Sequence, residues 1–188
     1  MPLDVDATAE RTLARIFDGL RSARLDAGLS QNRLADGLPV RARAISEWET
    51  GAVEPSMKHL IQWSHALGLR LVIVGRDGGL RPGPACRRAG ETWEIFSRRR
   101  LAVPLRNRRL ALKLTLPELG GLVGVSRDSI HRWEFVYAPP RPIALIVWAQ
   151  KLGYSVALQS ITTELMTERP TGHDLSAAHS TGASACQD

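Results

Sequence analysis

The chain is expected to be mainly α, with two four-helix bundles in tandem, each followed by a short β-strand. Three observations predict this. First, sixteen residues recur identically at an offset of 85 positions. Among them, Leu20, Arg24, Leu34, Val40, Ile45, Trp48, Glu49, Pro55, Trp63 and Gly68 are matched by Leu105, Arg109, Leu119, Val125, Ile130, Trp133, Glu134, Pro140, Trp148 and Gly153. Self-similarity at a fixed offset is the mark of a duplicated structural unit. Second, apolar residues fall at helical spacing and are punctuated by Gly28, Gly51 and Gly68, residues that stop helices. Third, each copy closes on a short apolar run, Leu69 to Val74 and then Val156-Ala157-Leu158, which reads as a strand.

In the first copy, Ile16 to Ala27 reads as an amphipathic helix, with Ile16, Leu20 and Ala23 on one face and arginines on the other. Gly28 ends it, and Ser30 caps a short second helix reaching about Leu38. Pro39 forces a break. A third helix runs from about Arg41 to Trp48 and ends near Gly51. Pro55 and Ser56 open a fourth through Leu67, stopped by Gly68. The second copy repeats the plan. Thr115 and Glu118 form a capping box, and Pro104 limits how far its first helix extends upstream. The domain organisation that follows is a first domain at 10–74, a Gly/Pro/Arg-rich linker at 75–92, a second domain at 93–161 and a disordered tail at 162–188.

Hydrophobic residues make up 44% of the 188, enough for a packed core. No apolar run approaches the ~20 residues of a membrane span, and Met1 to Arg11 has no apolar signal core. The expectation is a cytoplasmic, nucleoid-associated protein. Cys86 and Cys186 show no metal-ligand spacing and support neither a zinc site nor a disulfide framework. Net charge is +6, yet between Gly75 and Leu110 ten arginines face three acidic residues, a local +7. A concentrated positive field draws in a polyanion. Catalysis is not expected. His59, His65 and His131 lie on predicted helices without a partner at recognisable spacing, and Gly120-Gly121 falls inside a helix rather than in a phosphate loop. No cofactor, metal, membrane partner or small-molecule ligand is expected.

Two short helices joined by a tight turn inside a helical bundle can place the second helix in the major groove, which is about as wide as an α-helix. Gly28-Leu29-Ser30-Gln31-x-x-Leu34-Ala35, followed by Ile45-Ser46-x-Trp48-Glu49-x-Gly51-x-x-x-Pro55, closely resembles the Cro/phage-repressor (Xre-type) helix-turn-helix family. The second copy matches through Leu119, Gly124-Val125-Ser126, Ile130, Trp133-Glu134 and Pro140. The resemblance implies lambda-repressor-like bundles and a sequence-specific double-stranded DNA-binding transcriptional regulator, acting as a repressor by occupying a promoter. It implies that Arg24 pairs with Glu49, and Arg109 with Glu134, to fix each recognition helix. It also implies DNA contacts at Gln31, Arg41, Ala42, Arg43, Glu47 and Thr50 in the first copy, and at Arg127, Asp128, His131 and Arg132 in the second. Arg43, Arg127 and Arg132 are the best base-reading candidates, since arginine can contact guanine in bidentate fashion. Two other readings stay open: an antitoxin, or a protein-interaction scaffold with a degenerate second helix-turn-helix.

The sequence departs from the family pattern at several places. Pro39 stands where the family uses Gly in the turn; Leu116 and Val136 stand where it uses Gln and Gly. Phe135 and Tyr137 add aromatic rings to a loop expected near DNA. The roughly 28 residues between Val74 and Val103 span about 30 Å as a flexible coil, so one chain can reach two half-sites one DNA turn apart. A single chain reading an asymmetric two-part site is therefore expected. Its two strands carry edges open to each other across a pseudo-two-fold, or to another chain.

Overall fold

The structure, a computed structural model, describes residues 2–161; the expected tail lies outside the described residues. Asp6 opens helix α1 (Ala7–Asp26) by accepting the Ala9 N–H on its carboxylate at 2.7 Å. The helix begins nine residues ahead of the expected Ile16. Its upstream turns carry Thr8, Glu10, Arg11 and Thr12, which mask the apolar periodicity, while Ala9 is wholly buried. Ser30 caps α2 (Gln31–Ala35), and α3 (Ala42–Glu49) follows a turn of six residues. Ser56 caps α4 (Met57–Ala66), which leads into strand β1 (Leu69–Gly75).

The same order recurs as α5 (Trp93–Ala111), α6 (Leu116–Val123), α7 (Arg127–Glu134), α8 (Pro142–Lys151) and β2 (Tyr154–Ser160). Thr115 and Glu118 form the expected capping box at the start of α6. Two expectations about proline need correction. Helix α5 runs through Pro104 instead of starting near it. Proline supplies no N–H to the Arg100 carbonyl one turn back. The backbone of Gly83 packs against that carbonyl, and any Cβ there would collide with it. Upstream, Leu101 and Ala102 are buried with Pro104, so packing holds the continuous helix. Conversely, α2 stops at Ala35, short of Leu38. Leu38 precedes Pro39 and is pushed out of the α region, and the Gly37 and Leu38 amides bond back three residues to Leu34 and Ala35.

β1 and β2 pair antiparallel, and the register places Val72 opposite Ala157, its own equivalent at the 85-residue offset. A local pseudo-two-fold therefore passes through that pair. Of the two pairings left open above, the described chain uses the intramolecular one. The first helix of each half also crosses over. α1 packs on α8 and β2 as well as on α3, while α5 packs on β1 and α4 as well as on α7. Buried residues from both halves, including Leu20, Trp63, Ile73, Leu105, Trp148 and Val156, belong to one hydrophobic cluster. The aromatic packing repeats too: Trp48–Trp63 centroids are 5.7 Å apart and Trp133–Trp148 centroids 5.8 Å. Glu54 bridges the halves by accepting the Ile143 N–H at 2.8 Å near the start of α8, whose N-cap Arg141 makes no capping bond of its own.

Residues 75–92 are pinned rather than loosely extended. Leu80 pairs with Val74 as an isolated bridge. Arg99, nearly buried, donates to both oxygens of Glu91 at 2.7 and 2.8 Å and to the Cys86 carbonyl at 2.8 Å. Cys86 in this segment is disulfide-bonded, although the cysteine spacing gave no support for a disulfide framework.

Candidate nucleic-acid interface

Each helix pair is locked by the same buried ionic clamp. Arg24 donates from Nε and Nη2 to the two carboxylate oxygens of Glu49 at 2.6 and 2.8 Å, and from Nη1 to the Leu29 carbonyl at 2.7 Å. Arg109 does the same to Glu134 at 2.6 and 2.8 Å and to the Leu114 carbonyl at 2.8 Å. The forked geometry satisfies both carboxylate oxygens and ties the end of α3 or α7 to α1 or α5. Gln31 was expected to contact a phosphate and to brace the recognition helix. Its amide donates to Glu49 Oε2 at 2.9 Å, so it braces the clamp of the first half. Its equivalent in the second half, Leu116, cannot. Burial pushes the Glu49 carboxyl up, but hydrogen bonds from Arg24 and Gln31, with the charges of Arg24 and Arg21, outweigh it and hold the group below the ordinary glutamate range.

The clamps set the exposed faces of α3 and α7. Arg41 precedes α3 as its N-cap without a capping bond, and its side chain is exposed. Arg43 is exposed and pairs with Glu47 at 2.7 Å along the helix. Ala42 is half-buried against the core, so only part of it faces outward. The Thr50 hydroxyl donates to the Ser46 carbonyl at 3.0 Å, with the Glu47 carbonyl at 3.2 Å. On α7, Arg127 and Asp128 are exposed with 3.6 Å between charged atoms, Arg132 is exposed, and His131 is half-buried. Ser126 caps α7 through the Ser129 N–H at 3.1 Å.

The turns differ as the proline expectation requires. Gly124 caps α6 at φ +81°, a conformation closed to its counterpart Pro39. The structure also shows why a side chain is excluded at Gly124. The N-terminal segment lies across it: a Cβ there would collide with the Pro2 carbonyl and come within 2.8 Å of the Asp4 nitrogen. The Asp4 amide donates to the Val123 carbonyl at 3.0 Å, its carboxylate pairs with Lys151, and Leu3 packs on the core. Nothing local in Pro2 to Asp4 signals this contact.

The arginine cluster read as a positive field is largely committed to the fold. Arg99 and Arg109 are buried in ion pairs, and Arg81 pairs with Asp77. Arg81 and Arg108 lie 5.7 and 5.5 Å from the Tyr154 ring centroid. Arg106 sits 4.6 Å over Phe135. Arg87 and Arg88 remain exposed. Among the described residues no group of His, Cys, Asp and Glu is arranged to hold a metal, and no helix is long and apolar enough to cross a membrane.

Comparison with curated proteins and with solved structures finds no match to the chain. A family model described as Helix-turn-helix matches residues 20–74, from within α1 to the end of β1. That segment, with its capped helix pair and buried clamp, is similar to a helix-turn-helix domain.

Proposed function

We propose that the protein is a transcriptional repressor whose single chain reads a two-part DNA site through α3 and α7. The observation that carries this is the repetition of the helix-turn-helix geometry over residues 93–160, clamp for clamp, about a pseudo-two-fold made by β1 and β2. On this reading one covalent chain carries the two recognition helices that a dimer supplies from two. Base reading is assigned to Arg43, Arg127 and Arg132, with Arg41, Ala42, Glu47, Asp128 and His131 on the same faces. Gln31 and Thr50 flank the first helix pair, where phosphates run. Glu47 holds Arg43 extended along α3 and presets the guanidinium before contact. The two faces differ in every outward residue, so the half-sites differ in sequence. Repression follows from excluding polymerase at an occupied promoter.

Selection from a random double-stranded library, run on the protein and on Arg43→Ala and Arg132→Ala, tests this. The expected result is a motif with two unlike halves, each relaxed by one variant, with affinity falling roughly 5- to 150-fold per lost bidentate contact. One chain should bind per site. A single half-site indifferent to Arg132→Ala removes the second reader from the proposal, and an enriched site holding two chains removes the single-chain arrangement.

A further inference from the structure

The loop after α7 carries an aromatic cluster that the two-reader proposal leaves unused. Phe135 and Tyr137 are 42% and 70% exposed, and their rings lie 6.0 Å apart at 15°. His131, on the outward face of α7, is 4.7 Å from Phe135 and 5.9 Å from Tyr137. The Arg106 guanidinium covers Phe135 at 4.6 Å. Between the two rings, Val136 is held at φ +62°, a conformation that β-branched residues rarely adopt; its counterpart Gly51 takes φ +70° without penalty. The Val136 amide bonds to the Trp133 carbonyl and the Ala138 amide to the Arg132 carbonyl, as Gly51 and Val53 do in the first half. Val136 packs inward, so both neighbouring rings are left facing out. Large exposed aromatics just after α7, in a strained loop and in contact with cationic Arg106, form a surface for a flat, electron-rich group within a polyanion.

The geometry points to a base-stacking site: the Phe135–Val136–Tyr137 loop, with His131 and Arg106, receives an unstacked base at the edge of the DNA bound by α7. Phe135 stands at the position equivalent to Thr50, so the second half replaces a hydroxyl with a ring. This inference rests on the reading that α7 lies against DNA. Charge decides between DNA and a protein partner. Arg106 lies over Phe135, Arg132 is exposed on α7, and Asp128 is an acid on that surface, itself within 3.6 Å of Arg127.

The test uses two fluorescein-labelled duplexes of identical mixed sequence, one perfect and one with a single unpaired 2-aminopurine. The intact protein should bind the bulged duplex roughly tenfold more tightly, with quenching of the 2-aminopurine, as one base–aromatic stack allows. Tyr137→Ala and Phe135→Leu should abolish the preference and the quenching, while perfect-duplex affinity and its salt slope stay within about twofold, because phosphate contacts set that slope. Phe135→Leu keeps the packing under Arg106, and circular dichroism confirms that both variants fold. Equal affinity of the intact protein for the two duplexes overturns the assignment and leaves the rings as a protein-contact surface. A preference that survives both substitutions overturns it as well. Failure to bind either duplex at any salt concentration sinks the DNA reading itself, a separate result.

Discussion

Arg24→Met should destabilise the fold by about 3–5 kcal/mol, the usual cost of stranding one partner of a buried ion pair. The structure indicates why the loss belongs in that range. Arg24 makes two charge-assisted bonds to Glu49, at 2.6 and 2.8 Å, and a third to the Leu29 carbonyl at 2.7 Å. The side chains of Arg24 and Glu49 are only 8% and 3% exposed, so little water can replace what is lost. After substitution Glu49 keeps one described side-chain donor, the Gln31 amide at 2.9 Å, which cannot neutralise a buried carboxylate. Methionine fills most of the volume, so the cost is electrostatic rather than a cavity. The double variant Arg24→Met/Glu49→Leu should therefore recover to within about 1–2 kcal/mol of the unsubstituted protein. Urea unfolding followed by far-ultraviolet circular dichroism measures all three. A loss below about 1 kcal/mol for Arg24→Met is what an exposed pair gives and would refute the buried-clamp argument. A double variant as unstable as the single would show that the clamp stabilises by itself, not by avoiding a stranded charge.

Three further outcomes follow from the geometry. Lys113 sits at φ +56° where the first half has Gly28 at φ +66°, and it is exposed, so Lys113→Gly should raise stability by about 0.5–1 kcal/mol in the same urea assay; any loss would mean that the lysine makes a contact outweighing its strain. Gly124→Ala should cost about 2–3 kcal/mol, through positive φ and displacement of the N-terminal segment. Deleting residues 1–5 should shrink that cost by half or more, and a cost unchanged by the deletion would show that the segment is not what the side chain strikes. The Glu49 carboxyl is held below the ordinary range in the folded protein, so its contribution is fully present above the unfolded value of about 4.3 and is lost as pH falls through the lower folded value. Stability should thus fall on acidification below about pH 4.5 more steeply for the unsubstituted protein than for Glu49→Gln; parallel curves from urea midpoints between pH 6 and 3 would rule out that linkage.

Much of this molecule was legible in the chain itself because local chemistry settles it. Capping residues Ser30, Ser56 and Thr115 start helices through their own side chains, and Gly28, Gly68 and Gly153 end them through positive φ. The resemblance to the Cro/phage-repressor family implied the pairing of Arg24 with Glu49, and the 85-residue repeat carried it to Arg109 and Glu134, since residues that recur at a fixed offset occupy equivalent positions. The outward residues of α3 and α7 were named from the same resemblance.

What only the tertiary structure decided lies wherever distant segments meet. Helix α1 begins at Ala7, capped by Asp6, and packs on α8 and β2 from far along the chain, and α5 passes through Pro104 because packing there outweighs a missing hydrogen bond. Within the basic cluster Arg99 and Arg109 turn inward to Glu91 and Glu134, and Arg106 and Arg108 lie over Phe135 and Tyr154, so a local charge count overstated the field they present. The choice of β2 as the partner of β1, and the seating of Pro2 to Asp4 on Gly124, join residues far apart in the chain. Composition and periodicity report what each segment can bury or cap, but not which other segment supplies the partner; that is set by the packing of the whole chain.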